Sequence, residues 1–171
     1  MFNTIGYTGK VTIKVKNKPP VRRNNAGTSA LFSHLCHTIT GTTSVSETAP
    51  TAFGILKSGG TVSETSLQTD PNFSKYLSQS VLISNLPIVS RRPLDSSHVQ
   101  FSAVLWNSNT NSTVSENIDT CFVVMLNNKN EILAYSKFEY STIRPVWNDF
   151  NSQCVIDWEM EFANKTTGGA L

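Results

Sequence analysis

His34-Leu35-Cys36-His37 sets two imidazoles three residues apart with a thiol between them. On a helix that spacing puts both rings on one face, where a metal ion could bridge them. Zinc needs further ligands, and the chain has no Cys-x-x-Cys and no second histidine-rich stretch. The simpler reading is a core Cys36 with His34 and His37 flanking a buried stripe. Asp157, Glu159 and Glu161 alternate along an extended stretch, which spaces their carboxylates about 6.6 Å apart on one strand face. Glycosidases place carboxylate pairs at comparable distances, but a catalytic pair needs two unlike environments to separate its pKa values. Neighbours on one exposed face are equivalent, so this is a solvated or partner-facing acidic strip. His98 follows Asp95 by three residues at a strand start, which reads as turn chemistry. The Gly-x-Ser-x-Gly, His-Glu-x-x-His and phosphate-loop patterns do not occur, and Gly54 and Gly59-Gly60 are not spaced to cradle a phosphate. No catalytic, metal or cofactor residue is expected.

Trp106, Trp147, Trp158, Tyr135 and Tyr140 are candidates for a sugar-stacking platform of the kind that carbohydrate-binding sandwiches use. Trp158 shares an alternation face with Ile156 and Met160, which places it in the core instead. Trp106 and Trp147 adjoin loops and stay open as contact residues.

These side chains need a scaffold, and composition narrows it. The chain has 171 residues, 15% of them charged and 39% hydrophobic. Ser, Thr and Asn make up about a third. That charged fraction is too low for a coiled coil, and the apolar content is too high for wholesale disorder. No apolar run approaches the roughly 18 residues of a membrane-spanning helix. Met1 to Gly6 lacks a basic start followed by an apolar stretch, so no signal peptide is expected. Cys36, Cys121 and Cys154 are odd in number and widely spaced, unlike a secreted disulfide framework. They read as buried free thiols in a protein made in a reducing cytoplasm. The triplets at Asn72, Asn111 and Asn164 then carry little meaning as glycosylation acceptors.

Charge is unevenly distributed. The first 46 residues hold Lys10, Lys14, Lys16, Lys18, Arg22 and Arg23 and no acid. Residues 131–161 hold six acids against Lys137 and Arg144. The expectation is a contact between copies in which Lys10, Lys14, Lys16, Arg22 and Arg23 meet Asp157, Glu159 and Glu161, row against row. A lysine face guarding an edge strand is the alternative. Specific nucleic-acid binding is not expected, because no aromatic residues interleave the basic run.

The hydrophobic pattern supplies the elements. Lys10–Lys16 alternates, with Val11, Ile13 and Val15 on one side, and Pro19-Pro20 ends the strand. Ser29–Thr40 spaces Leu31, Phe32, Leu35, Cys36 and Ile39 by threes and fours, predicting one buried helical stripe. Asn24–Thr28 can cap this helix, and Gly41 stands where a C-terminal glycine belongs. Residues 42–50 read as a loop, 52–57 as a short strand, and 61–78 as a long loop turning at Asp70-Pro71-Asn72. Strands are expected at 76–89, 99–106, 118–126, 131–138 and 153–163. Asn127-Asn128-Lys129-Asn130 joins a hairpin, 107–117 is a polar loop, and 166–171 is a tail. Seven or eight strands and one principal helix after the first strand predict a mainly β fold. Its expected architecture is a single antiparallel, jelly-roll-like β-sandwich domain over 1–171. The expected core is Val11, Ile13, Leu35, Phe101, Leu105, Phe122, Val124, Ile156, Trp158 and Phe162.

Three stretches carry a resemblance: Gly6-Tyr7-Thr8-Gly9-Lys10-Val11-Thr12-Ile13, Asn25-Ala26-Gly27-Thr28-Ser29-Ala30-Leu31-Phe32, and Pro50-Thr51-Ala52-Phe53-Gly54. In this order they resemble small virion proteins of tailed bacteriophages, in particular neck and tail ring proteins of short-tailed phages, including the crAss-like group. The resemblance covers roughly the first third of the chain. It implies a β-rich structural subunit, made in the host bacterial cytoplasm and located in the virion neck or tail. Such a subunit assembles in many copies, as a homo-oligomeric ring, with other virion proteins, without catalysis, cofactor or membrane. A carbohydrate- or receptor-binding sandwich of a phage tail is the other class.

Overall fold

A computed structural model describes residues 3–42, 49–110 and 117–166. The expected loop at 42–50, the loop at 107–117 with Asn111, and the tail at 166–171 lie largely outside these residues. The described residues form ten strands: β1 (Asn3–Val15), β2 (Val21–Asn24), β3 (Ala26–Gly27), β4 (Pro50–Lys57), β5 (Val81–Pro87), β6 (Ser90–Pro93), β7 (His98–Trp106), β8 (Thr120–Asn127), β9 (Ile132–Glu139) and β10 (Gln153–Thr166). They form two antiparallel five-stranded sheets, in the orders β2-β1-β10-β7-β6 and β3-β9-β8-β4-β5. This is the expected antiparallel β-sandwich.

Alternation decides which side of each strand is buried. In the first sheet Val11, Ile13, Ala103, Leu105, Cys154, Ile156 and Trp158 point inward and are almost completely buried. The second sheet answers with Phe53, Ile55, Cys121, Val123 and Met125. The Phe53 and Trp158 rings stack across the interior with centroids 5.5 Å apart. The chain changes sheets at two short corners. At Asn25 it passes from β2 to β3, and between Pro87 and Ser90 it passes from β5 to β6. At the second corner the Ile88 amide bonds to Thr51 of one sheet and the Val89 amide to Ser102 of the other. Pro87, which cannot extend a ladder, sits where pairing must stop.

The outer face of the second sheet is apolar too, and the 61–78 region covers it. Instead of the expected irregular loop, this region forms helix α2 (Glu64–Thr69) and a 3-10 turn at Phe73–Tyr76. Ser63 and Ser66 cap α2 reciprocally, as in a capping box. Leu67, Phe73 and Tyr76 pack on Leu56, Phe122, Val124, Leu126 and Ile132 to make a second core. Phe122 and Val124 are thus buried as expected, but in this outer layer rather than between the sheets. Gly54 belongs to that layer, since a Cβ there would lie 2.8 Å from the Phe73 ring. The polar run of 61–66 hides the layer from periodicity, because only a few apolar anchors in it touch the sheet.

Helix α1 (Ser29–Ile39) forms where expected, between the Thr28 cap and Gly41 at φ +69°. Its orientation differs from the prediction. Ala30 and Leu31 are buried and His34, Leu35 and Thr38 half-buried, while Phe32, Cys36 and Ile39 are exposed. At about 100° per residue, the buried line is the flank next to the expected stripe. The helix packs mainly on the edge of β9 and the two-residue β3, a narrow surface that leaves part of the apolar arc uncovered. A further short helix, α3 (Pro145–Asn148), precedes β10.

Trp158 is fully buried between the sheets. Trp158→Ala should cost about 3–5 kcal/mol of unfolding free energy in urea titration; a loss below about 1 kcal/mol would contradict its packing.

Candidate functional site

Strands β1 and β10 run side by side through thirteen register pairs, from Asn3↔Thr166 to Val15↔Cys154. Lys10 lies opposite Glu159 and Thr12 opposite Asp157. The rows expected to meet between copies thus already lie side by side inside one chain, where some of their members pair. Lys14 Nζ donates to Asp157 Oδ2 at 2.6 Å, and Ser102 Oγ donates to Asp157 Oδ1 at 2.6 Å. Arg22 Nη2, from β2, donates to Glu159 Oε2 at 2.8 Å. Asp157 is 7% exposed, so the expected wet strip is partly a buried, paired one. Lys10, Lys16, Arg23 and Glu161 have no ion pair among the described residues.

At one end of this outer face a cleft of about 590 Å³ opens beside β1, beyond the last residue of β2. Glu159 stands in it between Arg22 and His98, whose Nε2 is 3.7 Å from Glu159 Oε2. His98 Nδ1 faces Asp95 Oδ2 at 3.9 Å. Asp95 itself accepts from the Ser97 backbone and hydroxyl, the turn chemistry expected of it. The Ser97 backbone bond is the main cause that holds the Asp95 carboxyl below its ordinary range.

Behind the cleft, Asn25 is fixed on three sides. Its backbone amide donates to Gly9 O at 3.0 Å, its Oδ1 accepts from the Tyr7 hydroxyl at 2.6 Å, and its Nδ2 donates to Glu159 O at 3.3 Å. Gly9 makes room for this amide, since a Cβ there would stand 2.4 Å from Asn25 Oδ1 and 2.5 Å from Glu159 O. Burial raises the Tyr7 phenol far above its ordinary value, with the nearby Trp158 indole acting in the opposite direction. The indole Nε1 remains outside hydrogen-bonding geometry. Tyr7 therefore stays a neutral donor, and its ring packs on Phe162.

A second polar cluster joins α1 to the β8–β9 hairpin. Glu131 Oε2 lies 2.6 Å from His34 Nε2 and accepts from Asn127 Nδ2 at 2.8 Å. Asn127 Oδ1 accepts from the Lys129 and Glu131 amides, closing the turn whose Asn130 sits at φ 58°. Burial opposes ionisation of Glu131, but the bonds to Asn127 and His34 outweigh it and keep the carboxyl below its ordinary range. The cluster ties the helix to the hairpin. His37 bonds to Thr42 instead, and no group of three or more His, Cys, Asp or Glu among the described residues could hold a metal.

The remaining candidates separate. Trp158 and Tyr140 are buried in the core between the sheets and Tyr135 in the outer core, and only Trp106 of the five aromatics is widely exposed, at 48%. Tyr140 and Trp147 pack edge to face with centroids 5.7 Å apart, but Trp158 lies between the sheets, Tyr135 in the outer core and Trp106 at the surface, so the five rings do not form one stacking platform. Cys121 and Cys154 are buried, and burial pushes both thiols up to about 12, with Cys154 adding to the effect at Cys121. Cys36 is exposed, contrary to the expectation of three buried thiols.

Sequence reasoning missed Tyr7, Gly9, Asn25 and the place of His98 beside Glu159. Only strand pairing across more than 130 residues brings Asn25 to Glu159, and no local pattern announces it. Comparison with protein-family models found none that matches, and searches of curated proteins and of solved structures also returned no match.

Two measurements check this geometry. Gly9→Ala should lower stability by about 1–3 kcal/mol, because the added methyl must displace Asn25 or the β10 backbone. A variant as stable as the parent in thermal unfolding would refute the close approach. Glu131 adds stability that is complete above its ordinary value of 4.5 and is lost as pH falls through its lower folded pKa. Glu131→Gln should therefore flatten the acid limb of the stability–pH curve; an unchanged limb would count against the His34–Glu131–Asn127 cluster.

Proposed function

We propose that this chain is a structural, non-catalytic subunit of a tailed-phage virion, a neck, tail or collar ring component that assembles in several copies. The observation that carries the reading is the outward apolar flank of α1. Phe32 is 47% and Ile39 76% exposed, with Cys36 between them. Spaced at four and three residues, the three side chains form one stripe along the helix. The helix has no Asp, Glu, Lys or Arg, so a second copy can approach it without charge repulsion. An apolar stripe left in water by its own chain is a feature of contact surfaces. Virion identity itself rests on the resemblance carried by residues 6–13, 25–32 and 50–54, the second of which runs into this helix.

In this reading apolar contact supplies the affinity between copies. The charged face of the first sheet adds register, since exposed ion pairs contribute only about 0–1 kcal/mol each. Lys16 and Arg23, without an ion pair among the described residues, are cations of this face left for a neighbour.

Native mass spectrometry and light scattering test the assembly, and peptide mapping of purified virions tests the location. The wild-type chain should form a multimer of its 18.8 kDa subunit. Phe32→Ser with Ile39→Ser should return it to a monomer of unchanged melting temperature, both positions being exposed. A wild-type monomer at all concentrations, or a double variant that still assembles, would remove the basis of the proposal.

A further inference from the structure

The cleft beside β1 has a chemistry that selects its ligand. Lys10 and Arg22 contribute two positive charges, Glu159 and Glu161 two negative ones, and Asn24 and His98 complete the rim. These residues come from four strands, so the cleft exists only in the folded sheet. An anion would meet two carboxylates here, and a cation would meet an ammonium and a guanidinium. A neutral ligand that donates and accepts at many points meets no such opposition. Hydroxyl groups do both at each oxygen.

We propose that this cleft binds a neutral saccharide. Arg22 and Glu159 are already locked to each other, and His98 flanks the same carboxylate, so these groups lose little freedom on binding. Lys10 and Glu161 have no ion pair among the described residues and are open to sugar hydroxyls. Lys10 Nζ donates, the Glu161 carboxylate accepts, and the Asn24 amide does both. The volume of about 590 Å³ lies within the range of small-molecule sites. Behind the rim, Asn25 is held by Tyr7, Gly9 and the Glu159 carbonyl, so the backbone wall does not have to reorganise. The site differs from the tryptophan and tyrosine set that the sequence offered for sugar stacking, and it does not depend on how copies assemble.

The test applies the full-length protein to a printed array of neutral and acidic glycans, followed by calorimetric titration of the best neutral oligosaccharide. At least one neutral glycan should be retained, with an affinity that holds between about 0.05 and 1 M salt, because no net charge is exchanged. Lys10→Gln and Glu161→Gln, exposed positions whose variants should melt as the parent does, should each weaken binding about tenfold. Arg92→Gln, on the far edge strand of the same sheet, should leave it unchanged. Retention of no neutral glycan overturns the proposal. So does binding confined to acidic or sulfated glycans that vanishes with salt, which would make the face a general polyanion surface. Equal affinity in the Lys10 and Glu161 variants overturns it as well.

Discussion

The pairing of β1 with β10 is the constraint on which the other features rest. It joins the two ends of the described chain in one antiparallel ladder, with Val11 opposite Trp158 and Ile13 opposite Ile156. Both strands must place their apolar sets inward together, since a slip of one residue would turn every side chain to the other face. A slip would carry Trp158 to solvent and bring Asp157 and Glu159 between the sheets. The register that buries Trp158 against Phe53 is the same one that brings Lys14 to Asp157 and Arg22 to Glu159. Packing and charge specify one alignment, and this agreement between levels is characteristic of a sequence with a single native state. Its contacts span most of the chain, which for two-state domains predicts slow folding.

The two faces of the sandwich were treated differently. The second sheet is apolar on both sides and needs a lid, which α2 and the Phe73–Tyr76 turn provide with a few large side chains. The first sheet has one apolar side and leaves the other open, where charged groups satisfy one another. Asp157 shows the compromise, because at 7% exposure it is a buried carboxylate that keeps an ammonium and a hydroxyl as partners. Removing one partner of such a group costs more than the pair contributes when intact, because the remaining charge is left desolvated. The open face is thus chemically committed inside and available at its rim, and the cleft lies at that rim.

Helix α1 occupies the boundary between these regions. Thr28 anchors its start to β9 through the Ile132 and Leu133 carbonyls, and His34 anchors its middle to Glu131. Two polar anchors and Leu31 determine its rotation, and the remaining apolar flank is left outward. A helix packed by hydrophobic area alone would have buried the centre of the arc. Polar attachment therefore prevails over amphipathicity here, and the outward stripe follows from it.

Much of the architecture is legible in the sequence because it follows from short-range rules. Period-two alternation marks β1, β7 and β10, the Asn-rich turn marks the β8–β9 hairpin, and Thr28 with Gly41 brackets α1. The core positions Val11, Ile13, Leu105, Ile156 and Trp158 follow from the same patterns. What alternation conveys is that a strand has two unlike faces; it does not say which strand lies beside it. Lys10, Lys14, Asp157 and Glu159 could thus be recognised as rows, but only the β1–β10 ladder decided that the rows meet within one chain. Short pieces such as β2, β3 and β6 escape because four residues or fewer carry no measurable period, and the lid over the second sheet escapes because its anchors are sparse. The cleft was undecided for a related reason. Nothing in the local surroundings of Tyr7, Asn25 and His98 points to Glu159, and their grouping with it is a consequence of register, which is a property of strand pairs rather than of any one segment.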